Sequence, residues 1–241
     1  MIKPSTNPEI VFANKSEFRQ FTRDQREFVV TRFTEDLLWL DGLEHLATVY
    51  NKGEPISGLF EITPAPNFGA GLETMLRHII TRYDSLSEIT MFCQGTLLDR
   101  DDQPLYPLTW YFHEMPHIGV KGFLSEAYDR GNSRFPNRLS NSDCSAIKGR
   151  DLFTFRKEVV GINYKSHREW WVRGDWISAT RQAIRKKPKA YYCWLYEACQ
   201  FQRGIFTEEL WYLERSWYSI LTRPLERGFA YTPENSSVLL T

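Results

Sequence analysis

The feature that most constrains the fold of this chain is an alternation of strand and helix patterns through its first hundred residues. Strands are predicted at 27–33, 47–50 and 88–93, where β-branched and aromatic residues predominate. A helix is predicted between the first two strands, at 34–46. It begins at Thr34, with two acidic residues in its first turn, where the helix dipole favours negative charge.

A second helix, at 72–83, shows the clearest periodicity in the chain. Its apolar residues recur at helical spacing and form one face: Leu72, Met75, Leu76, Ile79, Ile80 and Tyr83. The resulting order, β-α-β-α-β, predicts an α/β fold with a mainly parallel central sheet flanked by helices.

The remaining segments are predicted from weaker patterns. We expect one α/β domain over 27–222, preceded by an irregular lead-in at 1–26 and followed by a loosely held tail at 223–241. Within the domain, Gly- and Pro-rich loops are predicted at 53–71 and long loops or an insertion at 99–170. Further elements are predicted as a helix at 175–184, a buried strand at 191–201 and a last helix at 207–221.

Composition excludes several function classes. The 241 residues carry 30 basic and 30 acidic side chains, so the formal net charge is zero and a dedicated nucleic-acid-binding surface is not expected. No apolar run reaches the length of about 18 residues that a membrane span needs, and the first residues lack the apolar core of a signal peptide. The four cysteines show no CxxC spacing, which favours reduced thiols in a cytoplasmic protein.

Polar residues follow the three predicted strands, where the carboxyl ends of parallel strands meet at one edge of a sheet. Arg32 lies near the end of the first strand, Asn51 and Lys52 follow the second, and Gln94 and Gly95 follow the third. Ligands of open α/β sheets bind at this edge, so these five residues are candidates for binding a nucleotide or its phosphates. The alternative is that they form ordinary polar turns.

Two acidic side chains, Asp99 and Asp101, come shortly after the third strand. Carboxylates spaced two residues apart on an extended loop can both reach one Mg²⁺ or Mn²⁺ ion, which prefers oxygen ligands. They are therefore candidate metal ligands that could bridge to a diphosphate. A solvated acidic turn is the alternative interpretation.

Other side chains suggest weaker hypotheses. His113 and His117 match the spacing of a zinc-protease motif, but Pro116 would disrupt the helical turn that this motif needs. Trp170 and Trp171 could stack on sugar rings, or pack in the core. Glu214 lies among aromatic residues on the last predicted helix, where it could be a buried carboxylate or an ion-paired one.

In several segments the chain resembles the family catalogued as domain of unknown function 3431, whose members look like GT-A-type glycosyltransferases. The segments that carry the resemblance are TRFTEDLLWL at 31–40, VYNKG at 49–53, the N-F-G of 67–69 through YDSL at 83–86, FCQG at 92–95, ACQF at 198–201 and LERSW at 213–217. They run in order from about residue 28 to residue 221.

The resemblance implies a GT-A-like fold and transfer of a sugar from a nucleoside diphosphate donor to a glycan or lipid-linked acceptor. The donor would be bound by the five residues at the strand ends, and Mg²⁺ or Mn²⁺ by Asp99 and Asp101. Glu214 would act as the general base if the enzyme inverts. Gln200, with Trp170 and Trp171, would lie on the acceptor side.

The chain departs from the family pattern at two places. Ala70 and Gly71 stand where the family tends to have an arginine after N-x-G, and Thr96 to Arg100 replace an acidic and histidine-containing segment, in which only Asp99 matches an acid. These departures leave two rival hypotheses. One is a catalytically degenerate glycan-binding or scaffold protein of the same fold. The other is a metal-dependent hydrolase that uses His113 and His117 with the two aspartates.

Overall fold

The centre of the molecule is a mixed sheet in which four neighbouring strands are parallel. The computed structural model describes residues 15–95, 111–112, 119–125, 152–162, 171–199 and 207–231. Within these residues the sheet has six strands: β1 (Arg26–Arg32), β2 (Ala47–Asn51), β3 (Glu61–Pro64), β4 (Ile89–Gln94), β5 (Val120–Ser125) and β6 (Trp171–Thr180). Their order is β3-β2-β1-β4-β6-β5, and β6 runs antiparallel to both of its neighbours. The predicted α/β class with a mainly parallel sheet is confirmed.

Helices cover the sheet. In the described part of the chain they are α1 (Lys15–Phe18), α2 (Ala70–Arg82), α3 (Leu152–Phe155), α4 (Arg181–Ile184), α5 (Lys189–Ala198) and α6 (Glu208–Thr222). A π-helical turn, Arg156–Val160, continues α3, and single 3₁₀ turns lie at Leu38–Leu40, Glu44–Leu46 and Tyr83–Ser85. None of the described helices is long and apolar enough to cross a membrane.

Apolar side chains of β1 point alternately to two cores, one on each face of the sheet. Val29 joins a core formed with α2, α5 and α6, whereas Phe28 and Val30 join a second core. The second core is rich in aromatic rings, and Phe28 packs edge-on against Trp39 and Phe112. A strand buried on both faces explains why the three successive residues at the centre of β1, Phe28, Val29 and Val30, are all apolar.

The prediction of a helix at 34–46 is wrong, because this segment forms two separate 3₁₀ turns. Gly42 has φ = 76°, a left-handed conformation that interrupts a helix between them. The apolar residues of the segment still face the aromatic core, with Leu40 and Leu43 fully buried. Burial against the sheet therefore outweighs the helical periodicity of the segment.

Two predictions for the second half of the chain are also wrong. The helix predicted at 175–184 is mostly strand, because β6 continues to Thr180, and α4 begins only at the next residue. The strand predicted at 191–201 lies largely in α5, where Tyr191 and Leu195 are buried one turn apart. A short apolar run suits a buried strand and a buried helix equally, and its neighbours in space decide between them.

Smaller differences concern the predicted loops and the tail. The loop at 53–71 contains β3, which extends the parallel sheet beyond β2, and the segment at 99–170 contains β5 and α3. The first part of the predicted tail packs on the core: the rings of Tyr231 and Tyr191 lie 5.6 Å apart, and the Phe229 side chain also contacts this core.

A buried polar cluster joins α2 to β1 at the amino-terminal edge of the sheet. The Glu27 carboxylate accepts hydrogen bonds from Thr48 Oγ1 at 2.7 Å and Ser87 Oγ at 2.9 Å, and its Oε2 lies 3.4 Å from His78 Nε2. Tyr50 Oη lies 3.2 Å from the other ring nitrogen of His78. Burial raises the pKa of Glu27, but these hydrogen bonds and the charge of His78 outweigh it and lower the pKa to about 2.

Replacing this carboxylate should weaken the fold in a pH-dependent manner. Because the pKa of Glu27 is lower in the folded protein than in the unfolded chain, its contribution to stability is complete above about pH 4.5. That contribution is lost as the pH falls toward 2. Urea unfolding of Glu27→Gln should show a loss of about 3 kcal/mol at pH 7 and of only about 1 kcal/mol at pH 3.

The exposed Glu88 provides the matched control, because Glu88→Gln should change the free energy of unfolding by less than about 0.5 kcal/mol at either pH. An equal loss at pH 7 and pH 3 for Glu27→Gln would show that the carboxylate is not held in its ionised form.

Candidate functional site

The winding direction of the parallel sheet reverses between β1 and β4. From β1 the chain adds β2 and then β3 on one side, and it returns to place β4 on the other side of β1. The connections on the two sides therefore leave a crevice at the carboxyl ends of β1 and β4, where Thr31 pairs with Gln94. Ligands of open α/β sheets bind at such a position.

Side chains of the loop after β1 lie in this crevice. The Glu35 carboxylate accepts hydrogen bonds from the backbone N–H groups of Phe33 at 2.5 Å and Thr34 at 3.0 Å. The Trp39 indole donates to the backbone carbonyl of Gly95 at 2.8 Å. Two amides that could hold an anionic ligand thus already hold a carboxylate of the chain itself.

Gly95 leaves just enough room for this arrangement. A Cβ atom built on Gly95 would lie 3.0 Å from Glu35 Cβ and 3.1 Å from its Oε2. The backbone N–H of Gly95 donates to the carbonyl of Thr31 at 2.8 Å, which continues the pairing of β4 with β1 past the end of the strand. Of the residues predicted to bind the donor, Gln94 and Gly95 therefore line the crevice directly.

Arg32 and Asn51 are brought together, as predicted, but they bind each other and the adjacent loop. Arg32 Nη1 donates to Asn51 Oδ1 at 2.8 Å and to the carbonyl of Glu54 at 3.0 Å, while its Nε donates to the carbonyl of Glu35 at 2.9 Å. Asn51 Nδ2 also donates to the carbonyl of Glu54, at 2.9 Å. These contacts join the loop after β1 to the loop after β2.

Lys52 lies in a fully buried ion pair. Its Nζ is 2.6 Å from Glu73 Oε2 and donates to the carbonyl of Phe68 at 2.7 Å. The other oxygen of Glu73 accepts from Arg77 Nε at 2.6 Å and from Tyr196 Oη at 2.7 Å. Burial and the charge of Glu73 raise the pKa of Tyr196, so its hydroxyl stays protonated and donates to the carboxylate. The cluster joins the loop after β2 to α2 and α5.

An open groove of about 470 Å³ lies beside the crevice, between the loops that follow β1 and β2. We call it the acidic groove, and its lining includes Glu35, Asp36, Asp41, Glu44, Leu38 and Leu59. Among the described lining residues Arg32 is the one cation, and its guanidinium is engaged in the contacts given above.

Of the other predicted site residues, two lie on described elements and the rest lie outside the described residues. Glu214 is on α6, with its Oε2 3.1 Å from Arg215 Nη1, and Trp171 is the first residue of β6. Outside the described residues are Asp99, Asp101, His113, His117, Trp170 and Gln200. Within the described ranges, no group of three or more His, Cys, Asp or Glu side chains could hold a metal ion.

Glu73, the residue that binds Lys52, was not among the predicted site residues. One signal was present, because Glu73 and Arg77 have the i, i+4 spacing of an ion pair on a helix. Nothing in the spacing of Lys52 and Glu73 shows that they meet, since their contact depends on how α2 lies across the sheet.

No family model, curated protein or solved structure matches the chain.

Removing Lys52 should destabilise the protein. Lys52→Met leaves the Phe68 carbonyl and one oxygen of a buried carboxylate without their partner, so we expect a loss of about 3 kcal/mol in urea unfolding at pH 7. In the Glu73→Gln background the same substitution should cost at least about 1 kcal/mol less, because the carboxylate is already gone. Lys186→Met, which replaces an exposed lysine in the same way, is the matched control. Equal costs in both backgrounds would contradict a coupled pair.

Gly95→Ala tests whether Glu35 fills the crevice. The added methyl group must push the Glu35 side chain aside, which should cost about 1 kcal/mol in the free energy of unfolding. In the Glu35→Gly background this cost should disappear, because the whole Glu35 side chain, including the Cβ atom 3.0 Å from the added methyl group, is then absent. A cost that persists in that background would place the conflict elsewhere.

Proposed function

We propose that the protein is a glycosyltransferase-like protein that binds a nucleoside diphosphate sugar at the crevice between β1 and β4. It would transfer the sugar to a glycan or lipid-linked acceptor. The observation that carries this proposal is the reversal of winding at β1, because it creates a ligand-binding position at the carboxyl ends of two parallel strands. The resemblance to GT-A-type proteins of domain of unknown function 3431 supports the same assignment and would make the sheet GT-A-like.

The chain order supports a metal-dependent donor site at this edge. Asp99 follows the last residue of β4, Gln94, by five positions, so both Asp99 and Asp101 are within reach of the crevice. These carboxylates supply the oxygen ligands that suit Mg²⁺ or Mn²⁺. A metal ion bound there would neutralise the charge that develops on the departing diphosphate.

The contacts of Arg32, Asn51 and Lys52 revise the part that these residues would play. Their polar groups bind the protein itself, so we propose that they shape and fix the walls of the site rather than hold the donor. The groups proposed to face the donor are Gln94, the backbone of Gly95 and the amides that now bind Glu35.

Glu214 is the proposed general base. A carboxylate at this position could accept the proton of an acceptor hydroxyl as the hydroxyl oxygen attacks the anomeric carbon and the bond to the diphosphate breaks. Arg215, 3.1 Å away, would hold it in place. Gln200, Trp170 and Trp171 remain the proposed residues of the acceptor side.

The second candidate function is a catalytically degenerate protein of the same fold that binds glycans or acts as a scaffold. One specific observation favours it: the crevice and the cations around it are occupied by the protein's own side chains. This alternative predicts no nucleotide binding. The metal-dependent hydrolase that uses His113 and His117 has no such support, and it predicts bound zinc or iron in the purified protein.

Thermal unfolding with UDP- and GDP-sugars, with and without Mn²⁺, separates these functions. A ligand present at a hundred times its dissociation constant adds about 2.7 kcal/mol of stability, so the transition should rise by roughly 5–10 °C. Asp99→Ala and Asp99→Asn should abolish the Mn²⁺-dependent part of the shift. Asp84→Ala, which removes an exposed acid on the turn after α2, should leave it intact.

Each outcome has a defined consequence. Release of the sugar from the donor, together with a Mn²⁺-dependent rise in the unfolding temperature, supports the transferase. The absence of a shift with every nucleotide sugar contradicts it and supports the degenerate alternative. A shift that survives both substitutions of Asp99 contradicts the metal assignment alone.

A further inference from the structure

The acidic groove carries two strongly exposed leucines. Leu38 is 76% exposed and Leu59 is 88% exposed, and they are the exposed large hydrophobic residues of the described structure. Both line the same groove. Single exposed leucines are common on protein surfaces, but two that face one concave surface are typical of a binding surface.

The local backbone fixes both side chains outward. Leu37 and Trp39 are buried on either side of Leu38, and the Leu38 N–H donates to Asp36 Oδ1 at 2.7 Å, which holds the turn in this orientation. On the facing loop, the Phe60 side chain packs against the aromatic core, so the preceding residue, Leu59, points away from it. Folding therefore exposes these leucines by anchoring their neighbours.

The charged side chains around the leucines are mostly acidic. Glu35, Asp36, Asp41 and Glu44 line the groove, and the described cation among the lining residues, Arg32, donates its hydrogen bonds to backbone carbonyls and to Asn51. An apolar surface with an acidic border is complementary to a segment in which apolar and basic side chains alternate. An anionic segment or a phosphate-rich ligand would be repelled.

A second copy of this chain is a poorer match. The chain has a cationic surface around a second open cavity of about 560 Å³. The cavity is lined by the cations Arg181, Arg185 and Lys186 and by Glu88, Thr180 and Gln182. Among these described residues there is no apolar side chain that could cover Leu38 and Leu59. The partner therefore needs apolar anchors that the chain's own cationic surface lacks.

We propose that the acidic groove docks a basic, leucine-containing segment of a partner protein. Leu38 and Leu59 would contact the apolar anchors of that segment, and the carboxylates would contact its lysine or arginine side chains. The groove shares Glu35 with the crevice between β1 and β4, but such docking does not depend on the proposed transfer reaction, because it does not use Asp99, Gln94 or Gly95.

The probe is a labelled, capped 12-residue peptide in which two leucines alternate with two lysines. Its binding is followed by fluorescence anisotropy at 50 mM NaCl. Two control peptides replace every lysine by glutamate or every leucine by serine. The first peptide should bind, both controls should bind at least about tenfold more weakly, and 300 mM NaCl should weaken the binding severalfold.

Protein variants locate the binding surface. Leu38→Ser combined with Leu59→Ser should raise the dissociation constant at least about tenfold with an unchanged unfolding temperature, since both side chains are exposed. Asp36→Asn combined with Glu44→Gln should weaken binding and reduce its salt dependence. Glu88→Gln, at the opposite edge of the sheet, is the matched control and should bind as the wild type does.

Three results would overturn the proposal. They are no binding of the lysine peptide, equal binding of the glutamate peptide, or equal binding by the double-leucine variant. Sedimentation of the wild type provides a further check: self-association that the double-leucine variant abolishes would assign the groove to a second copy instead. Retained peptide binding by Asp99→Ala would separate a failure of the transferase proposal from a failure of this one.

Discussion

The buried ion pair between Lys52 and Glu73 joins the two parts of the molecule that form the carboxyl edge of the sheet. Lys52 belongs to the loop after β2, and Glu73 lies in the first turn of α2. The charges lose their hydration, and a pair of this kind is favourable only if further hydrogen bonds satisfy both groups. Here the Phe68 carbonyl binds the ammonium group, while Arg77 and Tyr196 bind the carboxylate. Removing either charged group of the pair leaves the other buried without the contact that offsets its lost hydration.

The same cluster explains how α2 begins. Gly69 and Ala70 have φ values of 66° and 45°, and no side chain caps the N-terminus of the helix. A positive φ costs Ala70 about 1 kcal/mol or more, a cost that surrounding contacts must offset. The Lys52 ammonium group binds just ahead of this turn, at Phe68, and just after it, at Glu73, and so holds the strained backbone in place.

These internal contacts change the roles expected of the cations at the carboxyl edge of the sheet. Cations at the ends of parallel strands are usually regarded as phosphate ligands, yet here they bind carbonyl oxygens, an amide and a carboxylate of the protein. A donor bound between β1 and β4 would therefore depend on backbone groups, on Gln94 and on the aspartates that follow β4. The side chains of Leu38 and Leu59, by contrast, are strongly exposed, which is why we propose that they contact a partner.

The sequence was most informative where a pattern has one local solution. The six apolar positions of the helix predicted at 72–83 lie on one face only in a helix, and α2 spans Ala70–Arg82. The strand patterns that predicted β1, β2 and β4 were equally reliable, since each is buried on the sheet. In contrast, the apolar patterns at 34–46 and 191–201 do not determine the local structure by themselves. Contacts with distant parts of the chain make the first segment two 3₁₀ turns and the second mostly helix.

The candidate site was likewise predictable only where local sequence patterns determine it. Its position at the strand ends was predictable, because parallel strands bring their carboxyl ends together. The partners of its side chains were not, because Lys52 meets Glu73, and Glu35 meets the amides at the end of β1, only after α2 and the loops have packed. Residue type therefore indicated where polar groups gather, while the fold determines which of them remain available to a ligand.

The most direct measurement is a crystal structure determined in the presence of uridine diphosphate and Mn²⁺, with attention to the Lys52 ammonium group. If the cations of this edge are structural, Lys52 Nζ will remain in hydrogen-bond contact with Glu73 and the Phe68 carbonyl whether or not a nucleotide is bound. A Lys52 side chain that leaves Glu73 and binds a phosphate would contradict this account.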